Sequence, residues 1–192
     1  IRSLVVQSDV ANGRLVGHWN FQLLPEVSKV ILASSYDDGS VKVWPKAKLE
    51  GYLRVGEVNW LADLLHLPLT VEAGSTLKWD YNNVGRTWSL DGAVHSGSYD
   101  NYTLSGLDVT VLHQGDYFDA LASMDQARVN EITIDGLKAE SHGIGKNRSV
   151  RLSGAIEDSI PSQFTGAFKY TPGTADFEYG IFNIGLDTFK LV

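Results

Sequence analysis

Cysteine is absent from this chain of 192 residues, methionine occurs once and proline five times. Without cysteine the chain cannot form a disulfide framework, a thiolate zinc site, an iron–sulfur cluster or a cysteine nucleophile. The absence leaves the compartment open, because a chain of this length can build a core without disulfides, so secreted and cytoplasmic locations both remain. The chain begins Ile1-Arg2-Ser3, without an initiator methionine or the apolar stretch of a signal peptide. We therefore expect a processed chain or a fragment.

Long hydrophobic runs and excess basic charge are also missing. No apolar run approaches the roughly 18 to 20 residues that a membrane-spanning helix needs, so we expect no membrane span. The 16 Lys and Arg residues are outnumbered by 23 Asp and Glu residues, giving a formal net charge of −7. This balance argues against a nucleic-acid partner. The five histidines show no H-x-H or H-x₃-H spacing, and we expect neither a metal site nor a cofactor.

The chain contains instead a succession of short β-prone runs. Val, Ile, Thr, Tyr, Phe and Trp cluster at intervals bounded by Gly, Asn and Asp turn residues. This pattern predicts a mainly β fold, a single domain over residues 1–192 built as a β-sandwich or β-barrel with two short helices. The expected strands cover residues 2–7, 14–23, 27–35, 41–44, 51–55, 69–72, 76–81, 87–90, 94–99, 102–112, 131–134, 150–156, 165–171, 177–182 and 188–192.

Two segments have helical rather than strand-like spacing. In residues 57–67, apolar side chains recur at helical intervals up to a stop at Pro68. In residues 116–128, Asp116 is placed as an N-cap and Asp119 as its capping partner. We expect each helix to cover an end of the β structure.

The densest patch of aromatic and polar side chains lies in residues 79–91. Aromatic rings stack on the C–H groups of sugars, and carboxylate and amide oxygens accept hydrogen bonds from hydroxyls. Trp79 and Tyr81 share one face of their strand and Asp80 and Asn82 the other, so the outward set is either rings or oxygens. The sequence therefore predicts a non-enzymatic domain that binds a glycan or similar polar small molecule through Trp79, Asp80, Tyr81, Asn82, Arg86 and Trp88.

Two other classes of function remain open. One is a small β-barrel enzyme of cyclase, isomerase or lyase type, in which His113, Asp116 and Tyr117 transfer protons at a strand-to-helix turn and His113 is the base. The other is a structural or assembly domain of a larger protein or particle, and a homo-oligomer is compatible with binding as well. A shallow groove favours a binding domain, whereas a closed cavity holding an ionisable residue of perturbed pKa favours an enzyme.

Overall fold

The computed structural model describes residues 1–36, 43–145, 147–157, 162–170 and 177–186. Within these residues the chain is mainly β with two helices, as the sequence predicts. The helices are α1, Leu23–Tyr36, and α2, Asn59–Leu64. The strands are β1 Arg2–Gln7, β2 Ala11–His18, β3 Lys48–Val55, β4 Leu69–Val71, β5 Thr76–Asn82, β6 Thr87–Tyr99, β7 Tyr102–Gln114, β8 Tyr117–Val129, β9 Ile132–Ile144, β10 Asn147–Glu157, β11 Ser162–Tyr170 and β12 Phe177–Leu186.

The strands form one antiparallel sheet. Its order is β1-β2-β3-β5-β6-β7-β8-β9-β10-β11-β12, and the short β4 pairs with the far end of β6. Strands β1 and β12 lie at the two ends of this order and do not pair with each other in the described part of the chain. The sheet is therefore open, an arrangement consistent with a β-sandwich or an open barrel.

The middle of the sheet repeats a regular hairpin. Strands β6 to β9 each contain 13 residues and are joined by two-residue turns. The first residue of each turn has a positive φ, from 53° at Asp100 to 60° at Gly115, as tight hairpins with the twist of a sheet require. Asn130, between β8 and β9, and Gly145, directly after β9, also have a positive φ. Successive strands consequently begin at residues 87, 102, 117 and 132, a regular spacing that the sequence analysis does not identify.

The structure corrects the expected strands over residues 14–23 and 27–35. Strand β2 ends at His18, and the following segment forms α1. The amide of Leu23 donates to the Asn20 side chain at 2.9 Å, which caps the start of the helix. Buried Val27 and Val30 recur at helical spacing, so packing of one helix side outweighs the strand propensity of the β-branched residues. Of the expected strand 41–44, residues 41 and 42 lie outside the described residues, and 43 and 44 are not in a strand.

The predicted helix over residues 116–128 is also wrong. This segment is β8, which pairs with β7 on one side and β9 on the other. The two residues Gly115 and Asp116 form a hairpin turn, so Asp116 does not cap a helix. Its apolar residues suit both periods, and the two long neighbouring strands decide the outcome, because they pair with most of the segment's backbone groups.

Other expected elements are confirmed in position. Strand β1 has the expected bounds, and α2 occupies the centre of the helix expected over residues 57–67. The separate strands expected over 87–90 and 94–99 are one strand, β6, which continues through Asp91 and Gly92 without turning. The strand expected over 188–192 lies outside the described residues. In the part of the chain that the structure describes, neither helix has the length and hydropathy needed to cross a bilayer.

The core lies between α1 and one side of the sheet. Leu49, Tyr81, Trp88, His113 and Phe118 are paired in turn across β3, β5, β6, β7 and β8, and all five are buried. Because directly paired residues of a sheet lie on the same side, they form one continuous row. We call this side the helix face and the opposite side the open face.

Helix α1 is fixed to this row by polar contacts as well as by packing. The Trp88 Nε1 donates a 2.8 Å hydrogen bond to Ser34 Oγ. The Arg148 guanidinium donates to the Ser34 carbonyl at 3.0 Å and lies 4.1 Å from the centre of the Phe118 ring. A cation held between an aromatic face and a carbonyl is a stable arrangement for a buried arginine.

Candidate functional site

A groove of about 530 Å³ crosses the open face of strands β2, β3, β5 and β6. Its charged and hydroxyl-bearing side chains alternate along each strand with residues of the helix face. The groove is shallow and open to solvent along the sheet. It is lined by Arg14, Val16, Glu50, Gly51, Tyr52, Lys78, Trp79, Asp80, Ser89 and Asp91.

The lining forms two neighbouring rows across the four strands. One row pairs Arg14 with Tyr52, Tyr52 with Lys78, and Lys78 with Asp91. The other row runs in the same way through Val16, Glu50, Asp80 and Ser89. Paired side chains in a sheet lie about 5 Å apart, so the two rows place eight side chains in one compact area.

The polar side chains of the groove form no ion pair or hydrogen bond with another described residue. Arg14, Glu50, Lys78, Asp80 and Asp91 form no ion pair there, and their side chains make no hydrogen bond to a described residue. The hydroxyls of Tyr52 and Ser89 likewise have no described partner. Two cations, three carboxylates and two hydroxyls are thus available to a bound molecule.

Asp80 is the most enclosed carboxylate of the groove. Burial raises the pKa of Asp80 above its usual value of 3.8, and the negative charge of Glu50 raises this pKa further. Lys48 has the opposite, smaller effect on the pKa. Partial burial and a neighbouring carboxylate both disfavour the charged form of Asp80.

Trp79 packs closely against Gly51, its directly paired neighbour on β3. A Cβ atom added to Gly51 would lie 2.0 Å from Cε2 of the Trp79 ring, so only glycine leaves room for the indole there. The two residues occupy helix-face positions of their strands, so they border the groove between the two polar rows while the indole ring lies on the other side of the sheet. This contact holds β3 and β5 together beneath the groove.

The structure places the six predicted ligand residues in three different environments. Asp80 lines the groove with its side chain, whereas Trp79 borders the groove from a helix-face position, with its ring packed against Gly51. Tyr81 and Trp88 are buried in the core, and the Tyr81 hydroxyl donates to the carbonyl of Pro45 at 3.1 Å. Burial raises the pKa of Tyr81 to about 12. The outward set of this strand is therefore the row of oxygens and not the rings.

The two remaining residues of that prediction lie at the turn between β5 and β6. The side-chain oxygen of Asn82 accepts a 3.1 Å hydrogen bond from the amide of Val84, which closes the turn. Arg86 is exposed, has a φ of 48°, and its carbonyl accepts from the amide of Gly115. Neither lines the groove.

The predicted proton-transfer residues His113, Asp116 and Tyr117 are not brought together. His113 is buried on the helix face, where its ring stacks on Trp88 with a centroid distance of 5.9 Å. Asp116 is exposed in the hairpin turn, and Tyr117 begins β8 on the open face. Because the strand-to-helix turn that would have joined them is a tight hairpin, His113 and Tyr117 lie on opposite sides of the sheet.

A second polar cluster lies farther along the open face, on β8 and β9. The His142 Nδ1 is in direct contact with an oxygen of Asp119, and Lys138 forms a 2.6 Å ion pair with Glu140. These polar side chains contact one another, unlike those of the groove. Among the described residues, no group of three histidine or acidic side chains is placed to hold a metal ion.

Four groove residues are not among the site residues predicted from the sequence: Arg14, Glu50, Tyr52 and Lys78. Alternation along each strand predicts that Glu50 and Tyr52 share a side of β3, and that Lys78 and Asp80 share a side of β5. Nothing in one sequence gives the register between these strands, on which their meeting depends. Comparisons of the chain with known protein families, with curated proteins and with solved structures find no match.

Proposed function

We propose that this chain is a non-enzymatic binding domain whose open-face groove holds a neutral glycan or a similar polyhydroxylated molecule. The observation that carries the proposal is the set of charged and hydroxyl side chains in the groove that have no described partner in the chain. Such groups are hydrated in the free protein, and a ligand that supplies hydrogen bonds to several of them replaces this water.

The chemistry of the lining favours a neutral ligand with many hydroxyls. Carboxylates accept hydrogen bonds from sugar hydroxyls, while Arg14 and Lys78 donate to ring and hydroxyl oxygens. Tyr52 is partly exposed and offers an aromatic face for C–H stacking. The three carboxylates of the groove repel a strongly anionic polymer, and the two cations repel a strongly cationic one.

The openness of the groove favours binding over catalysis. A small β-barrel enzyme of cyclase, isomerase or lyase type needs a closed cavity that excludes water from its ionisable groups. Asp80 has a raised pKa but lies in a shallow groove on a sheet surface. Each hydrogen bond to a ligand contributes only about 1 kcal/mol after desolvation, so we expect weak affinity at a single groove.

The proposal is tested by titrating the protein with neutral hexose and N-acetylhexosamine oligosaccharides and measuring binding by isothermal calorimetry. We expect saturable binding of at least one oligosaccharide, weakened about tenfold by Tyr52→Ala or Lys78→Ala. Tyr102→Ala and Lys46→Ala are the matched controls, since both residues are exposed and lie outside the groove. Absence of saturable binding across the panel, or equal losses in the control variants, would contradict the proposal.

A further inference from the structure

Strand β1 is an edge strand with one unpaired side. It pairs with β2 along one side, from Arg2 opposite Gly17 to Gln7 opposite Asn12, and no described strand pairs with the other. All six of its residues are exposed. The unpaired side therefore presents a row of backbone amides and carbonyls that another strand can bind.

Strand β1 carries exposed apolar side chains. Leu4, Val5 and Val6 are consecutive and apolar, with exposed fractions of 39%, 62% and 45%. Their pairing with Leu15, Arg14 and Gly13 places Leu4 and Val6 on the helix face and Val5 on the open face. Strand β1 therefore exposes apolar side chains on both of its faces, next to its unpaired edge.

The edge also lacks the features with which proteins prevent strand pairing. Strand β1 contains no proline, glycine or lysine, and its only charged residue is Arg2 at the start. Its register with β2 is continuous, without a bulge that would twist the edge away. An exposed, regular and apolar edge of this kind binds another strand readily.

We propose that β1 pairs antiparallel with β1 of a second copy of this chain, with the two-fold axis at Val5. Residues paired directly across an antiparallel sheet lie on the same side, so only registers that match like sides are allowed. Centring on Val5 places Leu4 of each copy opposite Val6 of the other and Ser3 opposite Gln7. The neighbouring register, centred on Leu4, would place Arg2 opposite Val6 and Ser3 opposite Val5. The sequence of β1 is thus self-complementary in the register centred on Val5.

This pairing continues the sheet through both copies. Its two-fold axis is perpendicular to the sheet, so the open faces of the two copies lie on the same side. Arg14 and Val16 of the groove lie on β2, directly beside the new junction. The two grooves are then separated by the two β1 strands alone, a span of about 15 Å. The pairing itself does not depend on what the groove binds.

Sedimentation equilibrium of the whole chain over a range of concentrations tests the pairing. We expect a reversible monomer–dimer equilibrium whose dissociation constant rises about tenfold or more in Val5→Lys, because the two lysines would face each other at the axis. Val84→Lys is the matched control, since Val84 lies in the β5–β6 turn and is 88% exposed. A chain that stays monomeric at every concentration, or a dimer weakened equally by both variants, would overturn the proposal.

Cysteine cross-linking tests the register independently, because the natural chain has no cysteine. Under mild oxidation we expect Val5→Cys to form a covalent dimer much faster than Leu4→Cys, since only the side chains at position 5 lie opposite their own copy. Val84→Cys measures the rate of random collision. Faster cross-linking of Leu4→Cys, or equal rates for all three variants, would exclude the register centred on Val5.

Discussion

The indole nitrogen of Trp88 donates a 2.8 Å hydrogen bond to the hydroxyl of Ser34, which joins β6 to α1 inside the core. The same serine hydroxyl donates to the carbonyl of Ile31 at 3.1 Å. Ser34 is thus both a donor within its helix and the acceptor for a buried ring of the sheet. This contact helps to hold α1 over the helix face of the sheet. The opposite, open face is not covered by α1, and the groove lies there.

Replacing Ser34 with alanine leaves the buried indole N–H without this acceptor. A buried donor that loses its partner costs about 1–3 kcal/mol, so we expect Ser34→Ala to lower the free energy of unfolding by that amount in urea denaturation. Ser28→Ala is the control, because the hydroxyl of Ser28 makes a similar bond to Leu24 at 3.1 Å but is exposed. Equal losses in the two variants would show that the Trp88 bond does not stabilise the fold.

The burial of Tyr81 makes stability depend on pH in the alkaline range. Its pKa is raised from 10.0 in the unfolded chain to about 12 in the fold, so its contribution is complete below pH 10. As pH rises from 10 to about 12, the unfolded chain ionises and the folded protein does not, and stability is lost. We expect the free energy of unfolding to fall more steeply over this range in the natural chain than in Tyr81→Phe. If the free energies of unfolding of the two proteins fell in parallel over this range, burial would not be raising the pKa of Tyr81.

The raised pKa of Asp80 has two main causes that a titration can separate. Burial is the larger and the charge of Glu50 the smaller, so we expect Glu50→Gln to lower the Asp80 midpoint while leaving it above 3.8. The measurement is a carbon-13 titration of the side-chain carboxyl. A midpoint unchanged by Glu50→Gln would mean that the two carboxylates do not interact across the β3–β5 pair.

The same pKa predicts a stability difference of defined sign. A carboxyl whose folded pKa is raised contributes stability below pH 3.8 that is lost as pH rises through the folded pKa. We therefore expect Asp80→Asn to gain stability relative to the natural chain as pH rises from acid to neutral. A loss over that range would show that Asp80 is stabilised as an anion.

The contact between Gly51 and Trp79 predicts a packing defect. The Cβ of Gly51→Ala would overlap the indole ring, and overpacking of this kind costs about 1–3 kcal/mol. We expect a lower melting temperature together with a changed tryptophan emission spectrum. Gly85→Ala is the control, because its Cβ would meet only the Thr87 side chain at 3.3 Å in an exposed turn. A neutral Gly51→Ala would mean that the ring moves aside freely.

The fold was largely predictable where one period dominates the sequence. A short run of β-prone residues locates β1 and period-two alternation locates β5, but the long strands are harder to recognise because residues inside them have the composition of turns. Asp91 and Gly92 are typical turn residues, yet both lie within β6, which continues through them. The pairing of β6 with strands on both sides overrides the local preference.

The candidate site was predictable only in part. Alternation along β5 correctly separates Asp80 from Tyr81, but which of them faces outward depends on where α1 packs. The residues of α1 were predicted to form a strand, so no predicted element covered Tyr81. Arg14 and Glu50 join Asp80 through the pairings β2–β3 and β3–β5, which α1 and α2 separate along the chain.

The claim that the open-face groove is the binding site is tested most directly by mapping amide chemical shifts in a nitrogen-15-labelled protein. The probe is the oligosaccharide that binds best in the calorimetric panel. The account predicts saturable shifts on β2, β3, β5 and β6, strongest around Tyr52, Lys78 and Asp80, with no change around His142 on β9. Saturable shifts centred on β8 and β9, with the amides of Tyr52, Lys78 and Asp80 unmoved, would contradict it.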